Sequence, residues 1–243
     1  MELRGRNALV TGAGQRIGRA IAYGLIRRGV NVAIHYRRSL AGAKATMMEG
    51  EVAGVKVAML QADLSDPAAA EALPARAAEA LGAPLDIAVL SAAVMERRPL
   101  AEVTPADWDR VMDLNLRGTF FAAKGAAAAM GEKGGAIVAM ADLAAFQRWR
   151  SYPVHSISKA GVVALAELLA RTLAPRVRVN AVAPGAVLLP DDWDAAARQR
   201  LVASTPLGRL GTPDDAVRAV LFLLENDYVT GTTLVVDGGR LLG

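Results

Sequence analysis

Within YPVHSISK, residues 152–159, Tyr152, His155, Ser156 and Lys159 recur at spacings of three and four. On a helix that spacing gathers side chains on one face. The set holds the parts of a proton-transfer site: a ring that titrates near neutrality, a hydroxyl and an ammonium. Pro153 disfavours helical backbone at Tyr152 and suits a first helical position. Tyr152 is therefore expected to precede the first turn, leaving His155, Ser156 and Lys159 as the face.

A second chemical signal lies in VTGAGQRIGRAIA, residues 10–22. Gly12 and Gly14 would let the backbone turn tightly beside a pyrophosphate, with Arg16 and Ile17 in the turn. Gly18 would let the following helix pack against its sheet, and the phosphates would sit at that helix's positive end. An ordinary strand-to-helix turn is the plainer alternative. The stretch HYRRSLAGAKATMM, residues 35–48, contains no acid, although sheets that bind NAD place Asp or Glu at this point to hold the ribose. After His35 and Tyr36, the donors Arg37, Arg38 and Ser39 suit a 2′-phosphate instead. The expected cofactor is NADP(H); a solvated basic helix start is the alternative. In ADLSD, residues 62–66, Asp63 is placed to take an adenine amine, with Leu64 beside it, and Asp66 or Ser65 to cap the next helix.

These residues need a frame. Apolar runs at 7–11, 30–36, 55–60, 85–90, 135–140, 177–184 and 232–239 read as strands. Helical sequence lies between them: 15–29 closed by Gly29, about 40–50, 67–82 with a possible kink at Pro74, the 105–130 region, and 152–174. Strands alternating with helices predict an α/β fold, a doubly wound parallel seven-stranded sheet covered on both faces, of Rossmann type. Neither a linker nor a fixed-period repeat divides residues 1–243, so one domain is expected.

Composition narrows the function. Of 243 residues, 53% are hydrophobic and 21% charged, which is material for a folded core. With no cysteine, disulfides and thiolate metal sites are excluded, and two histidines make a His-based metal site improbable. The net charge of +4 is scattered among acids, which argues against a nucleic-acid face. No apolar run approaches membrane-span length. The first residues lack a signal-peptide pattern, so a cytoplasmic location is the expectation.

The combination resembles the short-chain dehydrogenase/reductase family along nearly the whole chain. Beside the glycine turn stand DLNLRGTFFAAK (113–124), the region 137–159, VRVNAVAPG (177–185), and GRLGTPDDAVRAVLFLL with VTGTTLVVDGG (208–239). Within the family the chain is most similar to the pteridine reductase branch: Arg16 replaces a glycine of the turn, HYRRS matches that branch's cofactor run, and Asp142 takes the place of a serine. The resemblance implies catalytic roles for Asn115, Asp142, His155 and Lys159, with His155 where the family carries tyrosine. Asn115 would support a water relay to Lys159, which would hold the nicotinamide ribose. Pro184 and Gly185 would flank the nicotinamide. Ser91 and Ala92, in LSAA (90–93), would line the cofactor where the family has an Asn-Asn-Ala motif, and Met95 stands near the place of the branch's pterin-stacking aromatic.

An ammonium near the His155 imidazole would disfavour the imidazolium, whereas the Asp142 carboxylate would stabilise it. The substrate is expected to be a small carbonyl, pterin or imine-like molecule, met by Met95, Phe146, Trp149, Leu188 and Trp193. Residues 186–205 are expected to form a flap, with PDDWDAAARQR (190–200) a short helix capped by Asp191 or Asp192. The resemblance further implies a homotetramer built through the helices near 105–130 and 152–174 and the C-terminal strand. The alternative to a reductase is a cofactor-binding protein with weak or no turnover, serving regulation or assembly.

Overall fold

A computed structural model describes residues 1–189 and 194–242. The strands are β1 (Asn7–Thr11), β2 (Asn31–Tyr36), β3 (Val57–Gln61), β4 (Ile87–Leu90), β5 (Gly135–Met140), β6 (Val177–Pro184) and β7 (Thr233–Val236). They make one sheet in the order β3-β2-β1-β4-β5-β6-β7, and every pairing is parallel. The chain reverses its direction of winding between β1 and β4. In open α/β sheets this is where a crevice forms beyond the carboxyl ends of the strands.

Helices α1 (Arg16–Arg27), α2 (Leu40–Ala53), α3 (Pro67–Leu81), α4 (Pro105–Met112), α5 (Thr119–Met130), α6 (Ala144–Gln147), α7 (Pro153–Leu173), α8 (Ala195–Ala203) and α9 (Pro213–Glu225) complete the frame. The period of two in β1 sends Ala8 and Val10 to a core shared with α1 and α9, and Leu9 to one shared with α3, α5 and α7. Leu9 and Val10 are fully buried; each such side chain contributes about 2 kcal/mol of transfer free energy. Arg178 closes the far end of α9, donating from its guanidinium to the carbonyls of Leu223, Leu224 and Val229 at 2.8–2.9 Å. Leu224 O also accepts from the amino terminus and Val229 O from Asn180 Nδ2, so these groups together satisfy the carbonyls at the end of the helix.

Several expected boundaries move. The strand expected at 232–239 ends at Val236, because Asp237 turns the chain by accepting the amide protons of Gly239 and Leu241. The strand expected at 85–90 begins at Ile87. Helix α3 runs unbroken through the buried Pro74. Between α4 and α5 the helix widens to a π-type turn over Asp113–Gly118. On the flap, the cap of α8 is Asp194, which accepts the Ala197 amide proton; Asp191, Asp192 and Trp193 lie outside the described residues. Among the described residues, no helix is long and apolar enough to cross a membrane.

Candidate active site

The register aligns Thr11 with Leu90, Leu90 with Ala139, and Met140 with Val182, so their strand ends share one edge of the sheet. Asp142 follows β5 at this edge. Helix α7 starts across from it, with Tyr152 as the residue before its first turn and Pro153 as its first residue. His155 thereby faces the end of β5. Its Nε2 lies 2.7 Å from Asp142 Oδ2, and its Nδ1 lies 3.1 Å from Val94 O.

Both contacts are to oxygen. Val94 O also accepts a proton from Asn115 Nδ2 at 2.9 Å, and Asn115 Oδ1 accepts the Val94 amide proton at 2.8 Å. The second Asn115 Nδ2 proton goes to Ser158 Oγ at 3.0 Å. Asn115 thus has no proton left for His155 Nδ1, and that nitrogen must carry its own to face the carbonyl. The other nitrogen faces a carboxylate. Burial alone would raise the Asp142 pKa, but hydrogen bonds from His155 and the Ala144 amide and the charges of Lys159 and His155 outweigh it and hold the carboxyl below its usual range. With Nδ1–H on Val94 O, Nε2 and Oδ2 share the remaining hydrogen bond of the ring, a pairing that favours the carboxylate form of Asp142.

Lys159, one turn beyond His155, is buried and donates from Nζ to Met140 O at 2.6 Å. Burial lowers its pKa, opposed by the Asp142 charge. Ser156 is also buried, and its Oγ has no hydrogen-bond partner. The structure therefore brings Asn115, Asp142, His155 and Lys159 into one cluster. Asn115 spends its amide on Val94 and Ser158 and lies 3.4 Å from His155 Nδ1. The His155 side chain is only 3% exposed and that of Asp142 21%, so the carboxylate is the member of the pair open to the crevice.

The glycine turn is built for close approach. Gly12 has φ 67°, and a Cβ there would stand 2.9 Å from Ala92 Cα; a Cβ on Gly18 would stand 2.4 Å from Gly12 O. No side chain caps the start of α1, and its first turn holds no acid. Its amide groups and positive dipole end are therefore available to phosphate. Arg16, at φ 51°, reaches across to donate to Leu188 O at 2.6 Å, while Ile17 is half-buried against the core.

His35 needs correction as a cofactor ligand. It is 3% exposed, accepts the Gly12 amide proton on Nδ1 at 3.1 Å, and stands 3.2 Å from Ala62 O through Nε2. The ring lies under the turn and supports it. Tyr36 packs on the core, and Leu64 is buried in the opposite core layer. The basic run is also less free than its sequence suggests. Arg37 pairs with Asp63 at 2.7 Å, and Asp63 accepts both the amide and hydroxyl protons of Ser65. That carboxylate therefore already has three protein donors, while its side chain remains 40% exposed. Ser39 donates to Gln15 at 3.1 Å. Among the described residues Arg38 has no ion-pair partner. Asp66 caps α3.

Thr11 was not singled out by sequence. Its Oγ1 accepts the amide protons of Ser91 at 2.8 Å and Ala92 at 3.0 Å, fixing the loop after β4. Of the residues expected against a substrate, Met95 is exposed, Phe146 packs near Ala139, Ala141 and Val162, and Trp149 stacks beside His155. Pro184 ends β6, with Gly185 after it held against Asp237. Among the described residues no group of three His, Cys, Asp or Glu is placed to hold a metal.

Comparison with known proteins agrees with this frame. A family model described as enoyl-(acyl carrier protein) reductase matches residues 12–240. An L-rhamnose 1-dehydrogenase (NAD(P)+) of a Sphingomonas species is 35% identical over 246 residues, which is 98% of this chain and 96% of that one. A short chain dehydrogenase from Burkholderia cenocepacia, in complex with NADP, matches at TM-score 0.92 and 34% identity over 99% of each chain. The FolM alternative dihydrofolate reductase of Brucella suis, also in complex with NADP, matches at TM-score 0.92 and 30% identity, over 100% of this chain and 97% of that chain. On the strength of its strand order, its glycine turn and these likenesses, the chain belongs to the short-chain dehydrogenase/reductase family.

Proposed function

We propose that the protein is an NADP(H)-dependent reductase of a small carbonyl, pterin or imine-like substrate, similar to the pteridine reductase branch. The observation that carries this reading is the 2.7 Å contact between His155 Nε2 and Asp142 Oδ2, beside the buried ammonium of Lys159. The uncapped amino end of α1 and the donors Arg16, Arg38 and Ser39 are the groups that would hold the dinucleotide phosphates. Lys159 would take the nicotinamide ribose.

When bound, the nicotinamide supplies hydride. The chain supplies the proton. It is the one shared between Nε2 and Oδ2, and giving it to the reduced atom leaves His155 neutral with Nδ1–H still on Val94 O. Asp142, the member of the pair open to the crevice, relays it: its carboxylate takes up the Nε2 proton as it passes one to the substrate, and ends the step as a carboxylate. Asn115 keeps Val94 O in place by clamping both backbone groups of that residue.

A second reading has its own support: both ring nitrogens of His155 are already engaged within the protein. A cofactor-binding protein with little turnover would have that feature. One experiment separates the two. NADPH affinity is measured by fluorescence, and NADPH oxidation is followed across a panel of carbonyls, cyclic imines and pterins. A reductase oxidises NADPH with at least one of them, loses rate as pH rises through the titration of its acid, and loses nearly all activity in His155→Ala. Tight NADPH binding with no oxidation by any of the panel supports the binding protein. Activity unchanged by His155→Ala removes that residue from the mechanism. Equal affinity for NADH would overturn the part given to Arg38 and Ser39.

The same proposal includes a cytoplasmic location and a homotetramer. Trp108, Phe120, Ile157 and Leu168 are exposed apolar residues on α4, α5 and α7, Phe120 and Leu168 line an open cavity of about 490 Å³, and these features support the assembly.

A further inference from the structure

Trp149 stacks beside His155 and is fixed from outside the site. Its Nε1–H donates to Gln147 Oε1 at 3.0 Å, and Gln147 Nε2–H donates to Arg240 O at 3.2 Å. The indole is thereby tied to the C-terminal segment. The residue between them, Arg148, has φ 52°, a conformation uncommon for a residue with a side chain. Past that reversal the indole lies 19° from the plane of the His155 imidazole, with ring centres 6.5 Å apart, while Tyr152 meets it edge-on at 6.0 Å.

A charged ring at His155 has much against it. It occupies the third position of α7, where the helix dipole disfavours positive charge. The Lys159 ammonium lies one turn on. Burial removes solvating water. In its favour stand the Asp142 carboxylate and the Val94 carbonyl, each accepting one N–H. The π-electrons of a neighbouring indole, near-parallel with ring centres 6.5 Å apart, favour a cation in the same way.

We infer that Trp149 is a positioning residue: it keeps the His155 ring charged and holds its Nε2–H on Asp142. The consequence for turnover rests on the reading of Asp142 and His155 as the proton source. The state of the ring does not.

The test uses the full-length protein labelled with ¹⁵N-histidine. The chain has two histidines, His35 and His155, so a His35→Asn variant assigns the spectrum. At neutral pH both ring nitrogens of His155 give protonated signals in the wild type. Trp149→Leu gains the signal of an unprotonated nitrogen, Trp149→Phe keeps the wild-type pattern, and Gln147→Leu, which leaves the indole in place but unmoored, falls between. With a substrate found by the panel above, kcat drops about tenfold in Trp149→Leu with KM and NADPH affinity little changed, and Trp149→Phe restores most of it. Ring signals identical in the wild type and in both Trp149→Leu and Gln147→Leu overturn the inference, whatever the rates do. Altered ring signals in a protein that oxidises no NADPH sustain it and defeat the reductase reading instead. Should Trp149→Leu fail to fold, the Gln147→Leu spectrum decides alone.

Discussion

His35 gives the fold an acid limit that can be worked out from its surroundings. Burial is the largest influence on the ring; with the Arg76 charge it outweighs the Ala62 hydrogen bond and the Asp63 charge, and the pKa falls from 6.5 to about 4. The geometry gives the same sign. Nδ1 must offer a lone pair to the Gly12 amide while Nε2 donates to Ala62 O, so a second proton would set two N–H groups against each other. The unfolded chain takes up that proton near its ordinary value, but the folded chain does so only near pH 4. Stability from this group is complete above about pH 6.5 and is lost as pH falls toward 4. The difference in pKa corresponds to about 3 kcal/mol. Urea unfolding, followed by circular dichroism from pH 7.5 to 4, measures it. Carboxylates held low, such as Asp107 at about 2, give up their contribution below this window. His35→Leu removes the titration. It is less stable at pH 7.5, by about 1–3 kcal/mol for the unpaired Gly12 amide, and its stability changes less between pH 6.5 and 4 by about 3 kcal/mol than the wild type's does. His155 is present in both proteins and cancels in the difference. Equal losses in the two proteins across that window would refute the reasoning.

Two further outcomes follow from local geometry. Gly12→Ala forces a Cβ to within 2.9 Å of Ala92 Cα at a backbone angle of φ 67°, so NADPH affinity measured by fluorescence titration should fall at least tenfold, with the far-ultraviolet circular dichroism kept. Arg178→Met removes three hydrogen bonds from carbonyls at the end of α9 and the following turn; urea unfolding should show a loss of about 2–4 kcal/mol, against little change for the exposed Arg27→Met.

The frame was legible because each strand carries its environment in its pattern. All of β1 is buried, and its sequence NALVT is nearly all apolar. The helix starts were legible where proline or a short polar residue marks them, as at Tyr152–Pro153 and Asp66–Pro67. What the sequence leaves unmarked has one cause, which is contact between residues far apart in sequence. His35 was grouped with the basic run that follows it, yet the period of two in β2 puts it on the Ala33 face, turned toward Gly12. A lone histidine inside an apolar strand was the available signal. Asp63 meets Arg37 only because Tyr36 pairs with Gln61 across β2 and β3. The π-type turn that presents Asn115 has no mark in DLNLRG. Thr11 looked like an ordinary strand residue until the loop after β4 folded against it.

The departures at residues 90–94 and at residue 155 become one feature once the contacts are known. A phenol carries a single donor, and an imidazolium carries two, on different sides of the ring. A charged histidine at residue 155, in place of a tyrosine, therefore brings a second N–H that needs an acceptor in a buried place. Val94 O is that acceptor, and it is available because Asn115 holds Val94 by both its N–H and its C=O. The same loop is anchored by Thr11 through the backbone of Ser91 and Ala92. Asp142 supplies the opposite charge on the other side of the ring, where a serine would leave the imidazolium unpaired beside Lys159. Histidine, aspartate and the altered loop form a mutually dependent set, so restoring tyrosine at 155 alone would leave Val94 O with Asn115 as its only donor among these groups.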